Sequence, residues 1–94
     1  MESLQAEALK KEIKELILDT LKIIDVKPED IKNDAPLFGE GNSIGLDSID
    51  SIEIIMALQR KYEVRIDDQN LARFVLQSIN SIADFIIKEK EKQD

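Results

Sequence analysis

Both prolines (Pro28 and Pro36) and all three glycines (Gly39, Gly41 and Gly45) of this 94-residue chain fall between positions 28 and 45. These residues interrupt regular backbone, so their concentration marks one irregular segment and leaves the two flanks free to form helices. On the N-terminal flank, Leu9, Ile13, Leu16, Ile17, Leu21 and Ile24 recur at three- and four-residue steps. That spacing predicts a helix over 2–24 with one apolar stripe, and Lys10, Lys11, Glu15, Asp19 and Lys22 fall largely on the other face. Pro28 ends the pattern, because a proline disfavours helix in the residue before it.

The segment 25–47 is too long for an ordinary structureless connection, yet it carries its own apolar anchors: Ile31, Leu37, Phe38, Ile44 and Leu46. We therefore expect a long loop pinned across the mouth of a helix bundle, with a short helical turn at 28–31. The second helix is expected over 48–62, capped by Asp47 or Ser48, with Asp50 and Glu53 in its first turns where the helix dipole favours negative charge. Val64, Arg65 and Ile66 read as extended. Asp67 or Asp68 can cap a short third helix ending near Leu76. The interval 78–80 breaks the periodicity, and Ser81 followed by Asp84 resembles a capping box that opens a last helix over 82–88, with Ile82, Phe85 and Ile86 inward. The expected fold is all-α: a four-helix bundle with three main helices, a short third helix and a long first loop. Residues 1–88 form its one domain, and 89–94 form a charged, frayed tail.

Composition removes whole classes of function. The chain has no cysteine and no histidine, which excludes disulfides, thiolate metal sites and the commonest general base. Asp and Glu number 20 against 13 Lys and Arg, for a formal net charge of −7. Such a surface argues against nucleic acid and anionic membranes and favours basic protein partners. No apolar run approaches the roughly 18 residues of a membrane span, and no signal-peptide pattern opens the sequence. A cytoplasmic, monomeric, non-enzymatic domain that does not insert into membranes is expected.

The second helix carries one apolar face too many. At about 100° per residue, Ser51, Ile54, Ile55, Leu58 and Tyr62 form a core stripe. Ile49, Ile52 and Met56 cluster on a different side, bordered by Asp50, Glu53 and Arg60. A helix apolar on two faces is either buried between neighbours or offers one face to a partner. The bordering charges favour the docking surface, and the flexible thioether of Met56 suits it.

Ser48 sits where the loop meets this helix. Its plainest role there is an N-cap. A catalytic nucleophile would need a base and an oxyanion site, and the flanking carboxylates would repel an oxyanion. A phosphodiester is better supported, since helix N-termini stabilise anions, although Asp47 and Asp50 oppose it.

Asp47-Ser48-Ile49-Asp50, followed by Ile52-Glu53-Ile54-Ile55-Met56-Ala57-Leu58, resembles the segment around the prosthetic-group serine of acyl carrier proteins. Asp34-Ala35-Pro36-Leu37-Phe38 resembles that family's loop, and the resemblance spans roughly residues 5–88. It implies that Ser48 receives 4′-phosphopantetheine from coenzyme A through a phosphopantetheinyl transferase. The arm's thiol then carries acyl groups as thioesters to acyl-transferring and acyl-modifying enzymes with basic docking patches, for fatty-acid-like, polyketide-like or specialised lipid biosynthesis. A chain without cysteine must import such a thiol. The resemblance maps partner contacts onto Asp47, Asp50 and Glu53 for charge and onto Ile49, Ile52 and Met56 for apolar contact. It departs from the fatty-acid carriers at Gln59, Arg60 and Lys61, with Arg65 following, and in a connection over 74–80 that reads as longer than usual. Both departures point to a specialised carrier. The alternatives are an aminoacyl or peptidyl carrier and an unmodified helical docking domain.

Overall fold

The computed structural model describes residues 4–38 and 47–93, apart from some side chains at the segment ends. Four helices follow one another: α1 (Leu4–Thr20), α2 (Ser48–Tyr62), α3 (Gln69–Val75) and α4 (Ile79–Gln93), with a 3-10 turn at Pro28–Asp30 between the first two. No strand occurs among the described residues, and the architecture is the expected helical bundle with its short third helix.

The core is built from the stripes that periodicity marked. Ile13 and Ile17 of α1, Ile54 and Leu58 of α2, and Ile82 and Ile86 of α4 are almost completely buried, and so is Ile79, which falls in the interval expected to break the periodicity. Each such side chain contributes about 1.5–3 kcal/mol of burial. From the long loop, Ile31 and Leu37 are buried as fully as any helix residue. Two backbone bonds fasten that loop to the junction of α3 and α4: the Leu37 N–H donates to the Gln77 carbonyl (3.1 Å) and the Asn80 N–H to the Asn33 carbonyl (2.9 Å). The anchors Ile44 and Leu46 lie outside the described residues. Beyond α2, Val64 and Ile66 are buried while Arg65 is exposed. This is the alternation of an extended segment, and the Ile66 N–H donates to Gln59 Oε1 (2.9 Å).

Helix ends differ from the sequence expectation, each for a visible reason. α1 stops at Thr20 rather than Ile24. Lys22 takes a left-handed conformation (φ 57°), its N–H donates to the Asp19 carbonyl (3.2 Å), and the Ile23 N–H donates to the Leu18 carbonyl (2.9 Å). This Schellman geometry satisfies carbonyls that the helix end would otherwise orphan. It also throws Ile24 off the stripe, leaving it 96% exposed, while Leu18 joins the core. Lys10, expected on the outer face, is buried and pairs with Glu7 (3.5 Å).

At the other end of the chain, the capping pair lies one turn earlier than Ser81 and Asp84. The Ser78 N–H donates to Ser81 Oγ (2.9 Å) and the Ser81 N–H to Ser78 Oγ (3.2 Å). Starting there lets Ile79, Ile82, Ala83 and Ile86 form one buried stripe at helical spacing. The connection expected over 74–80 shrinks to residues 76–78. α4 also continues beyond Lys88 to Gln93, with a Glu89–Lys92 ion pair (3.2 Å) and lysines in the last turn that complement the dipole.

One polar clamp joins α1 to α2. The Tyr62 hydroxyl donates to Glu12 Oε1 (2.9 Å), and Lys61 Nζ stands 3.8 Å from the same oxygen. Burial, then this hydrogen bond and the negative charge of Glu12, push the Tyr62 hydroxyl well above the usual phenol range.

Candidate functional site at the start of the second helix

The first turn of α2 is closed by its own carboxylates. Asp47 Oδ1 accepts from the N–H groups of Ile49 (3.1 Å) and Asp50 (3.2 Å), and Asp50 Oδ2 accepts from the Asp47 N–H (3.0 Å). This reciprocal box makes Asp47 the N-cap and Ser48 the first helical residue. Two consequences follow. The helix has a cap without Ser48, so the plainest reading of that serine, as the N-cap, is replaced by Asp47. The N–H groups of Ile49 and Asp50 are also taken by Asp47, so they are no longer free donors for an anion.

The second apolar face of α2 is open. Ile49 is 70% exposed, Ile52 60% and Met56 54%, while Ile54, Leu58 and Tyr62 of the same helix are buried. Central burial, the alternative that periodicity left open, does not occur among the described residues. Asp47 and Glu53 border the stripe as exposed carboxylates, and Asp50 is half-buried within the capping box. The six residues expected at a partner surface (Asp47, Ile49, Asp50, Ile52, Glu53 and Met56) therefore lie within the N-cap and the first nine residues of one helix, beside Ser48 in the chain.

A groove of about 570 Å³ runs between α2 and α3 beside Asp47. Phe38, Ile52, Ile55, Ala72 and Leu76 give it apolar walls, and Gln69, Arg73 and Gln77 stand at its exposed rim. Sequence reasoning missed this groove. Periodicity marks the faces within one helix and not which helices face one another across a groove. Ile52 belongs both to the groove and to the open stripe. Among the described residues no cluster of three or more carboxylates is placed to hold a metal ion. None of their helices is long and apolar enough to cross a membrane.

The family model described as "Phosphopantetheine attachment site" matches residues 11–86. The chain is also similar to the acyl carrier protein of Buchnera aphidicola subsp. Acyrthosiphon pisum, strain Tuc7. The two are 32% identical over 85 residues, which cover 90% of this chain and 96% of that protein. The same identity and coverage hold for the strain APS protein, and strain 5A gives 31%. The chain belongs to the acyl carrier protein family. It is a carrier rather than a catalyst, and it bears 4′-phosphopantetheine as a covalent group. As a carrier it works with a phosphopantetheinyl transferase and with acyl-handling enzymes.

Proposed function

We propose that Ser48 is the attachment point, and that the loaded chain presents acyl groups to its partners through the outward face of α2. The observation that carries this reading is the position of Ser48. It opens α2 immediately after a cap supplied by Asp47, which lines the α2–α3 groove, and immediately before Ile49 of the apolar stripe. In the loading step, the Ser48 Oγ bonds to the β-phosphorus of coenzyme A. The phosphoanhydride bond breaks, adenosine 3′,5′-bisphosphate leaves, and the hydroxyl proton passes to a base of the transferase. Once attached, the group supplies a terminal thiol that holds acyl cargo as a thioester.

The chain's own residues do the rest. The Asp47–Asp50 box holds the start of α2 rigid, so the attachment point is fixed while the arm beyond it remains free. Ile49, Ile52 and Met56 offer apolar contact, and Asp47, Asp50 and Glu53 attract a basic enzyme surface, mainly by speeding encounter. A partner that covers Ile52 also closes over one wall of the groove. Residues 1–88 act as the carrier unit, with 89–94 as its charged C-terminal tail, and the protein works as a cytoplasmic monomer in a specialised acyl pathway. The presence of Arg60 on the α2 face supports that pathway over housekeeping fatty-acid synthesis.

Incubation with coenzyme A, magnesium and a broad-specificity phosphopantetheinyl transferase should add one phosphopantetheine, read by intact mass. Ser48→Ala should abolish the addition. Retained loading in that variant would move the attachment elsewhere.

A further inference from the structure

Three polar residues near the end of α2, Gln59, Arg60 and Lys61, have different fates in the fold. Gln59 Oε1 accepts the Ile66 N–H, and Lys61 pairs with Glu12. Both are occupied within the fold. Arg60 is exposed and makes no ion pair or hydrogen bond among the described residues. Its direction matters as much as its freedom. At about 100° per residue, Arg60 lies within about 40° of Ile49, Glu53 and Met56, so these four residues line one face at steps of four, three and four. Glu53 is likewise exposed and unpaired among the described residues. Seven residues separate Glu53 from Arg60, a rise of about 10 Å.

We propose that the outward face of α2 is a two-signed docking surface, suited to an enzyme that sets a basic side chain against Glu53 and an acidic side chain against Arg60, about 10 Å further along. The proposal deepens the carrier reading given above and rests on it. An enzyme with a basic patch along the whole helix meets Glu53 favourably and Arg60 unfavourably. Discrimination of this kind comes from the repulsive contact as much as from the attractive one. The apolar stripe supplies adhesion common to both kinds of enzyme, while the order of charges selects between them and sets the direction in which the helix lies on its partner.

The test measures docking apart from loading, so every protein carries Ser48→Ala and is uniformly unloaded. The probe is a fatty-acid condensing enzyme whose carrier-binding face is basic throughout, immobilised for affinity measurement at low salt. Arg60→Glu should bind about five-fold tighter than the parent and Glu53→Lys correspondingly weaker, with both effects shrinking as salt rises. Lys88→Glu on α4 makes the same change in net charge and should shift affinity by less than about two-fold. The second probe is the same enzyme with one basic side chain, about 10 Å beyond its first cluster, changed to glutamate. On it the order should reverse, with Arg60 binding tighter than Arg60→Glu. Equal shifts for Arg60→Glu and Lys88→Glu, or no reversal on the second probe, would overturn the proposal, as would failure of every version to bind either probe. Loading of the unsubstituted protein is read separately by mass, so a failure of the Ser48 assignment leaves this result intact.

Discussion

The two apolar faces of α2 contain nearly the same side chains and meet opposite fates. Ile54, Leu58 and Tyr62 are buried against α1 and the rest of the core, whereas Ile49, Ile52 and Met56 stand in the open. The difference does not come from hydrophobicity. It comes from the number of neighbours that a small bundle can supply: α1 packs against one side of α2, α3 stands across the groove, and no described residue covers the outward stripe. A buried stripe is held by packing. An open one is maintained at a cost in exposed apolar surface, which a partner would relieve by covering it.

The comparison is most directly broken by truncating one side chain on each face. Leu58→Ala should lower unfolding stability by about 2–5 kcal/mol in urea titration, because it opens a cavity in a fully buried position. That is a large part of the roughly 5–15 kcal/mol available to a small domain.

The polar clamp gives an intermediate effect with a pH signature. The Tyr62 hydroxyl has its proton affinity raised in the folded state, mainly by burial, and an unfolded phenol titrates near pH 10. The folded state therefore retains the proton longer than the unfolded one. Its contribution is fully present below about pH 10 and declines as pH rises beyond that point. Tyr62→Phe should cost about 0.5–1.5 kcal/mol at neutral pH through the lost bond to Glu12, and it should flatten the alkaline decline in stability. The chain has a single tyrosine, so ultraviolet absorbance reports its ionisation directly.

The smallest change is expected on the open face. Met56→Ala should alter stability by less than about 0.5 kcal/mol, as surface substitutions away from special features do. The same variant should weaken docking to a partner enzyme. A loss comparable to that of Leu58→Ala would mean that the outward stripe is a core element after all.

Sequence alone determined the helical class, the pinned loop and the two-faced character of α2. Each of these depends on local periodicity or on where proline and glycine fall, and such signals survive without knowledge of the fold. The Asp47-Ser48-Ile49-Asp50 run was legible for the same reason, since a cap and its box lie within four residues. What sequence could not determine were features that depend on distant groups. The end of α1 depended on a left-handed Lys22 whose neighbour Ile23 packs back on the core. The start of α4 combines a local pair, Ser78 and Ser81, with a distant partner, Asn33, which lies 47 positions before Asn80 in the chain and takes up its N–H. The groove depended on α2 and α3 lying side by side. The fate of Arg60 was decided in the same way: tertiary contacts occupied Gln59 and Lys61 and left this one charge pointing outward. Local patterns specify which residues can form an element, but only packing decides which of their faces and charges remain unpartnered.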